Sequence, residues 1–125
     1  MNLKNIFKKF VLLDLFLLIF GVSSLFFENE TIISFNESVD PMSDMHGLVV
    51  LLYLIAYLSC LFFLYKFKKV GKQSYLFLFI FGVLLSLLMG DSAQGPLSYV
   101  VDGLGWANAG VILSLLYFSP IKKEF

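Results

Sequence analysis

Four long apolar runs, with an acid in only two of them, decide what this chain can fold into. They cover Phe10–Phe27, Met45–Tyr65, Tyr75–Gly90 and Val100–Phe118. Each holds roughly 16–21 residues, against the ~20 that cross a hydrocarbon core at 1.5 Å per residue. The first and third are at the short end, a mismatch that local thinning or snorkelling Tyr and Lys side chains absorb. No soluble core made from 125 residues could hide this much Phe, Leu and Ile. The chain is 59% apolar and 14% charged, with a mean hydropathy of +0.88, whereas soluble domains are about a quarter charged. We therefore expect an all-α integral membrane protein of one domain, 1–125. Its four transmembrane helices should lie at about 7–27, 45–66, 74–90 and 99–118, joined outside by a loop over 28–44. Short connections force neighbouring helices to run in opposite directions, so the simplest architecture is an up-down-up-down, antiparallel four-helix bundle.

The start of the chain also has the outline of a signal peptide, with Lys4, Lys8 and Lys9 before an apolar stretch. That stretch is long for a signal, and no small-x-small cleavage site precedes Glu28, so we read it as a retained first helix. All nine basic residues are lysines. Lys4, Lys8 and Lys9 precede the first run, Lys66, Lys68, Lys69 and Lys72 separate the second from the third, and Lys122 and Lys123 follow the fourth. Every lysine thus falls on one side, which the positive-inside rule makes the cytoplasm, together with both termini. The opposite side carries Glu28, Glu30, Glu37, Asp40, Asp44, Asp91 and Asp102, and no base. The bias toward Lys, Phe, Ile and Asn reads as an AT-rich genome, so we expect a bacterial cytoplasmic membrane. There the sequons at Asn29 and Asn36 carry no meaning. Cys60 is alone, which leaves no intramolecular disulfide and no CxxC motif.

In lipid, small residues and interhelical hydrogen bonds hold helices together. His46, Val50, Tyr53, Tyr57, Cys60 and Leu64 share a face of the second helix. Gly82, Ser86 and Gly90 form a small ridge on the third, and Gly103, Ala107, Gly110, Ser114 and Tyr117 a longer one on the fourth. Asp14, Gly21, Ser24 and Glu28 fall on one side of the first. We expect these faces to pack the helices against one another, with Gly71 in the short basic turn and Gly95-Pro96 in a sharp external one.

Asp14 is the most informative residue. A carboxylate inside a transmembrane helix costs ~2–3 kcal/mol on insertion scales unless it is neutralised or paired. The plainest expectation is a pairing with Lys8, Lys9 or another cytoplasmic lysine. Alternatively it stands protonated, binds a cation or relays a proton. Asn108, in the fourth helix near Trp106, also needs a partner. With Tyr53, Tyr57 and Ser86, these two are the intramembrane polar candidates. A second candidate is an external acidic rim of Asp40, Asp44, His46, Asp91 and Asp102. Its spacing matches no metal motif and it has one imidazole, so we expect neither a metal site nor a cofactor.

GxSxG, HExxH and phosphate-loop motifs are absent, and nucleic-acid binding is not expected because the lysines flank the membrane. The first expectation for function is a non-enzymatic interaction protein: an accessory subunit, or an immunity-type protein that binds a toxin in the membrane. Its acidic external face would attract a membrane protein or cationic peptide partner. The alternative is a small ion- or proton-coupled channel or transporter, oligomeric because four helices enclose no wide pore. A third reading is a membrane enzyme that uses the external His/Asp rim on a lipid-linked substrate.

Overall fold

The computed structural model describes residues 2–39, 44–88 and 92–125, with the side chains at 44–46 left aside. The described residues are all helical or in short connections, with no strand. Helix α1 is Leu3–Ser24, continued by a 3-10 turn over Leu25–Phe27. Helix α2 is Glu30–Val39, α3 is Asp44–Tyr65, α4 is Lys69–Leu88 and α5 is Pro96–Phe118, followed by a 3-10 segment, Pro120–Glu124. Four segments are long and apolar enough to cross a membrane: Leu3–Phe27, Gly47–Tyr65, Lys69–Leu88 and Pro96–Phe118. Their outer surfaces are rich in exposed Leu, Ile, Val and Phe. Water would penalise such a surface at about 25 cal/mol per Å², so lipid is the solvent it fits, as in a multi-pass membrane protein.

Three helices start three to five residues earlier than hydropathy predicts, α5 at Pro96 among them, because a helix does not stop where its apolar face stops. Asn2 caps α1, its side chain accepting from the Lys4 N–H at 3.1 Å, so the helix begins before the lysines. Likewise α4 begins at Lys69 rather than near residue 74. The polar segment expected as a loop over 28–44 contains α2. Asn29 starts that helix, its Oδ1 accepting from the Ile32 N–H at 3.0 Å. Asn36 then ties α2 to the connection before α5: its amide donates to the Ala93 carbonyl at 3.0 Å and its carbonyl accepts from the Ala93 N–H at 2.7 Å.

The long helices associate chiefly as two pairs, α1 with α5 and α3 with α4. Along the first pair, Ser24 meets Ser98, Asp14 meets Asn108 and Lys4 meets Glu124. Numbers thus rise on one helix as they fall on the other. The second pair is closed by a short turn ending in a Schellman motif, with Lys68 N–H on the Phe63 carbonyl and Phe67 N–H on the Leu64 carbonyl, both at 2.9 Å. Phe67 occupies the left-handed position at φ 53°, which glycine usually takes. Its ring offsets the cost: it packs with Phe7 and Phe125 at 5.6 and 5.3 Å between centroids.

Gly71 is therefore not the turn residue. It lies in the first turn of α4, buried against α3, where an added Cβ would meet the Leu64 nitrogen at 2.7 Å and the Phe63 carbonyl carbon at 2.8 Å. The Cys60 thiol donates across this contact to the Gly71 carbonyl at 3.3 Å. A second expectation is also corrected. Gly103, Ala107, Gly110 and Ser114 of α5 are exposed, and a Cβ at Gly103 or Gly110 would meet nothing within 4 Å. The face of α5 that packs inward is Ser98, Val101, Asn108, Ala109, Ile112 and Leu116.

The main core gathers at the lysine end: Phe7, Val11, Cys60, Leu61, Leu64, Tyr75, Leu78, Ala109, Ile112, Leu116 and Ile121. Three lysines stand over aromatic rings there, Lys8 over Tyr65 at 4.7 Å, Lys72 over Tyr117 at 5.1 Å and Lys66 over Phe62 at 5.9 Å. Toward the opposite end the two helix pairs leave space between them.

Candidate functional site

Asp14 lies twelfth in the 25-residue span Leu3–Phe27, near mid-helix. Its side chain turns toward α5, α3 and α4 because α1, paired with α5, also packs against α3. Only 4% of the residue is exposed. Three uncharged donors reach it, one from each of those helices. The Tyr57 hydroxyl donates to Oδ2 at 2.5 Å, the Tyr75 hydroxyl to the same oxygen at 3.0 Å, and the Asn108 amide to Oδ1 at 2.8 Å. Each tyrosine has one proton to give, and both spend it on the carboxylate. The 3.4 Å approach of Tyr57 to Tyr75 is therefore a consequence of shared aim.

The expected pairing of Asp14 with Lys8 or Lys9 is not what the structure contains. Lys8 sits over the Tyr65 and Phe67 rings. Among the described residues the one ion pair is Lys4 with Glu124, at 2.6 Å on the surface. Snorkelling toward the interface would have required the carboxylate to leave three donors that already reach it.

Asn108 also donates to the Phe10 carbonyl at 3.2 Å. Its amide protons are thereby both used, and its Oδ1 is buried without a partner. The Phe10 carbonyl fixes this orientation: turned over, the amide would set its oxygen against that carbonyl and withdraw a donor from Asp14.

Asp14 forms one end of a cleft of about 270 Å³ between the two helix pairs. Leu17, Leu18, Tyr53, Tyr57, Phe79, Val101, Trp106 and Ala109 line it, and Asp102 stands at the other end, exposed. Trp106 meets Phe79 edge-on at 5.4 Å, so it is a wall of the cleft. Tyr53 stacks beside Tyr57 at 5.9 Å and donates to the Leu78 carbonyl at 3.1 Å. It fits only because residue 82 is glycine: a Cβ there would come within 2.6 Å of the Tyr53 hydroxyl oxygen. Asp102 accepts from the Gln94 side-chain amide. It lies level with Gly21, whose Cβ would come 4.0 Å from its carboxylate, and hence about 10 Å along α1 from Asp14.

The intramembrane candidates therefore divide. Asp14, Asn108 and Tyr57 are brought together, with Tyr53 in the adjoining wall. Ser86 is exposed and donates to the Gly82 carbonyl of its own helix at 2.9 Å. Of the rim residues, Asp40 and Asp91 lie outside the described residues, as do the side chains of Asp44 and His46, and Asp102 alone is described. Sequence reading missed Tyr75, which it named only as the start of the third apolar run. Its signal was there: with Leu78 and Gly82 it forms an i, i+3, i+7 stripe. Glu28 was read as an external charge on the Asp14 side of the first helix, with no partner named for it. It accepts from the Ser98 hydroxyl at 3.0 Å and the Gly95 N–H at 3.4 Å, a carboxylate set on the N-terminus of α5.

Compared with protein families, characterised proteins and solved structures, the chain matches none.

Proposed function

We propose that this protein is a small cation-coupled carrier of a bacterial cytoplasmic membrane, with Asp14 as its charged centre. The observation that carries the reading is Asp14 itself: a carboxylate buried among four helices, held among the described residues by neutral donors alone, at the end of a cleft. Hydrogen bonds lower the cost of burying a charge but leave the charge in place. A buried ion with a permanent partner is a structural pair. One whose partners among the described residues are two hydroxyls and an amide lacks a counter-charge there, which a proton or a solute cation can supply in turn. Asp14 has four lone-pair positions and the three donors use three of them, so one acceptor position remains for that exchange.

The whole arrangement supports the same reading. The core is packed at the lysine end and the cleft extends toward Asp102 at the other. In an antiparallel bundle with both termini cytoplasmic, as the lysine segregation favours, this is an outward-open form, and closure between the helix pairs would give its counterpart.

The test is cation-driven proton movement in proteoliposomes loaded with a pH-sensitive dye. Sodium, potassium and a series of organic ammonium and phosphonium ions are added outside, with protein-free liposomes as the baseline. At least one cation should drive protons out above that baseline, and Asp14→Asn should abolish the response. A response equal in Asp14→Asn, or none for any cation, overturns the proposal.

A further inference from the structure

We infer that the solute is a monovalent lipophilic cation, one that spreads its charge over or beside a bulky aromatic body, and that it binds between Asp14 and Trp106. The inference rests on the carrier reading above and names its substrate class. Three features of the cleft select this chemistry.

The first is size. A space of about 270 Å³ is far more than a bare metal ion fills, and is just below the roughly 300–1,000 Å³ typical of small-molecule sites. The second is the lining. An inorganic cation that sheds its water needs about six oxygen ligands around it. Here the oxygens are the Asp14 and Asp102 carboxylates, about 10 Å apart along the helix, and the Tyr53 and Tyr57 hydroxyls, of which Tyr57 is already turned to Asp14. The remaining wall is Leu17, Leu18, Phe79, Val101, Trp106 and Ala109. Such a wall stabilises an apolar body and cannot replace a hydration shell. The third is the aromatic faces. Tyr53, Tyr57, Phe79 and Trp106 present ring surface and edge to one space, and a cation among them gains cation–π attraction that grows as water is excluded. One buried carboxylate then sets the charge at one. Asp102, exposed and held by Gln94, is placed to draw the cation in from the outer end.

The experiment uses tetraphenylphosphonium and the purified full-length protein in a neutral detergent. Trp106 is the one tryptophan of the chain and lines the cleft, so its fluorescence reads occupancy directly. Saturable quenching is expected at one ion per chain, with tetramethylammonium at least tenfold weaker and sodium and potassium not competing. Asp14→Asn should weaken binding at least tenfold. Because that variant also removes a hydrogen-bonding centre, a second one fills the cleft without touching it: Gly105→Leu, at a lining position where a Cβ meets nothing within 4 Å. It should keep the wild-type helical circular dichroism and lose at least tenfold in affinity.

Equal competition by sodium or tetramethylammonium, or unchanged binding in folded Gly105→Leu, overturns the substrate class. Cation-driven proton movement that depends on Asp14 but ignores every lipophilic cation would do the same while leaving the carrier reading intact. Loss of that proton movement as well removes both.

Discussion

At the scale of single residues, Asp14 illustrates how a membrane interior turns a costly group into an organising one. The carboxylate gives α3, α4 and α5 a common point to bond to, and Tyr57, Tyr75 and Asn108 each use it. Interhelical hydrogen bonds in membranes contribute about 0.6 kcal/mol on average and up to about 1.7. Tyr57→Phe and Tyr75→Phe should therefore each destabilise the protein by about 0.6–1.7 kcal/mol, measured by reversible unfolding in mixed micelles. Because both hydroxyls share Oδ2, their effects should not add. Asp14→Leu should cost more than either, since it strands three donors at once. Stability at or above wild type in Asp14→Leu would show that the carboxylate is a burden the fold tolerates rather than a centre it is built on. That Asp14 needs partners was legible from its position in an apolar run. Which partners it takes was not, because lysines five and six residues away in sequence and hydroxyls on other helices are equally plausible until the helices are placed.

At the scale of elements, the glycines separate by what stands opposite them. Gly71 lets the α3 backbone approach to a distance no Cβ allows, and Gly82 makes room for Tyr53. Gly103 and Gly110 face open space. Gly71→Ala should thus lower the thermal midpoint markedly, since the clash is with backbone that cannot move aside. Gly110→Ala should be neutral or slightly stabilising, as alanine is the better helix former by up to about 1 kcal/mol. The comparison is made by thermal unfolding of the two variants side by side, and equal losses would mean that α5 packs through its glycine stripe after all. Small residues at helical spacing mark where a close approach is allowed, and only the opposing helix decides whether it is used. The turn before α4 makes the same point in reverse. Phe67 takes a backbone conformation suited to glycine because Phe7 and Phe125 hold its ring. Phe67→Gly should relieve the turn and still lose stability, by the aromatic contacts it forfeits, each worth about 0.5–1.5 kcal/mol.

At the scale of the whole molecule, the ends of the chain meet: Lys4 pairs with Glu124, and Phe125 packs on Phe7. An exposed pair of this kind contributes little by itself, but with the aromatic cluster it closes the lysine end. Reporter fusions at either terminus should both read cytoplasmic, and a fusion within residues 30–39 should read external. Lysines introduced across that external segment should weaken this orientation, because cationic side chains resist transfer. A cytoplasmic signal from residues 30–39 in the wild type would reverse the direction in which the cleft opens.

The sequence by itself determined four membrane-length helices and the placement of every lysine at one end of them, and it singled out Asp14 as a charge in need of company. These follow from transfer energetics, which act on each segment one at a time and need no neighbour. Tertiary structure alone decided that Asp14 bonds to tyrosines and an amide instead of a lysine, that the α5 glycines face outward, and that Asp14 and Asp102 share one cleft. Those depend on which helix faces span the gap between two packed pairs. Once lipid surrounds every helix, hydropathy no longer distinguishes an inward face from an outward one, and only the packing does.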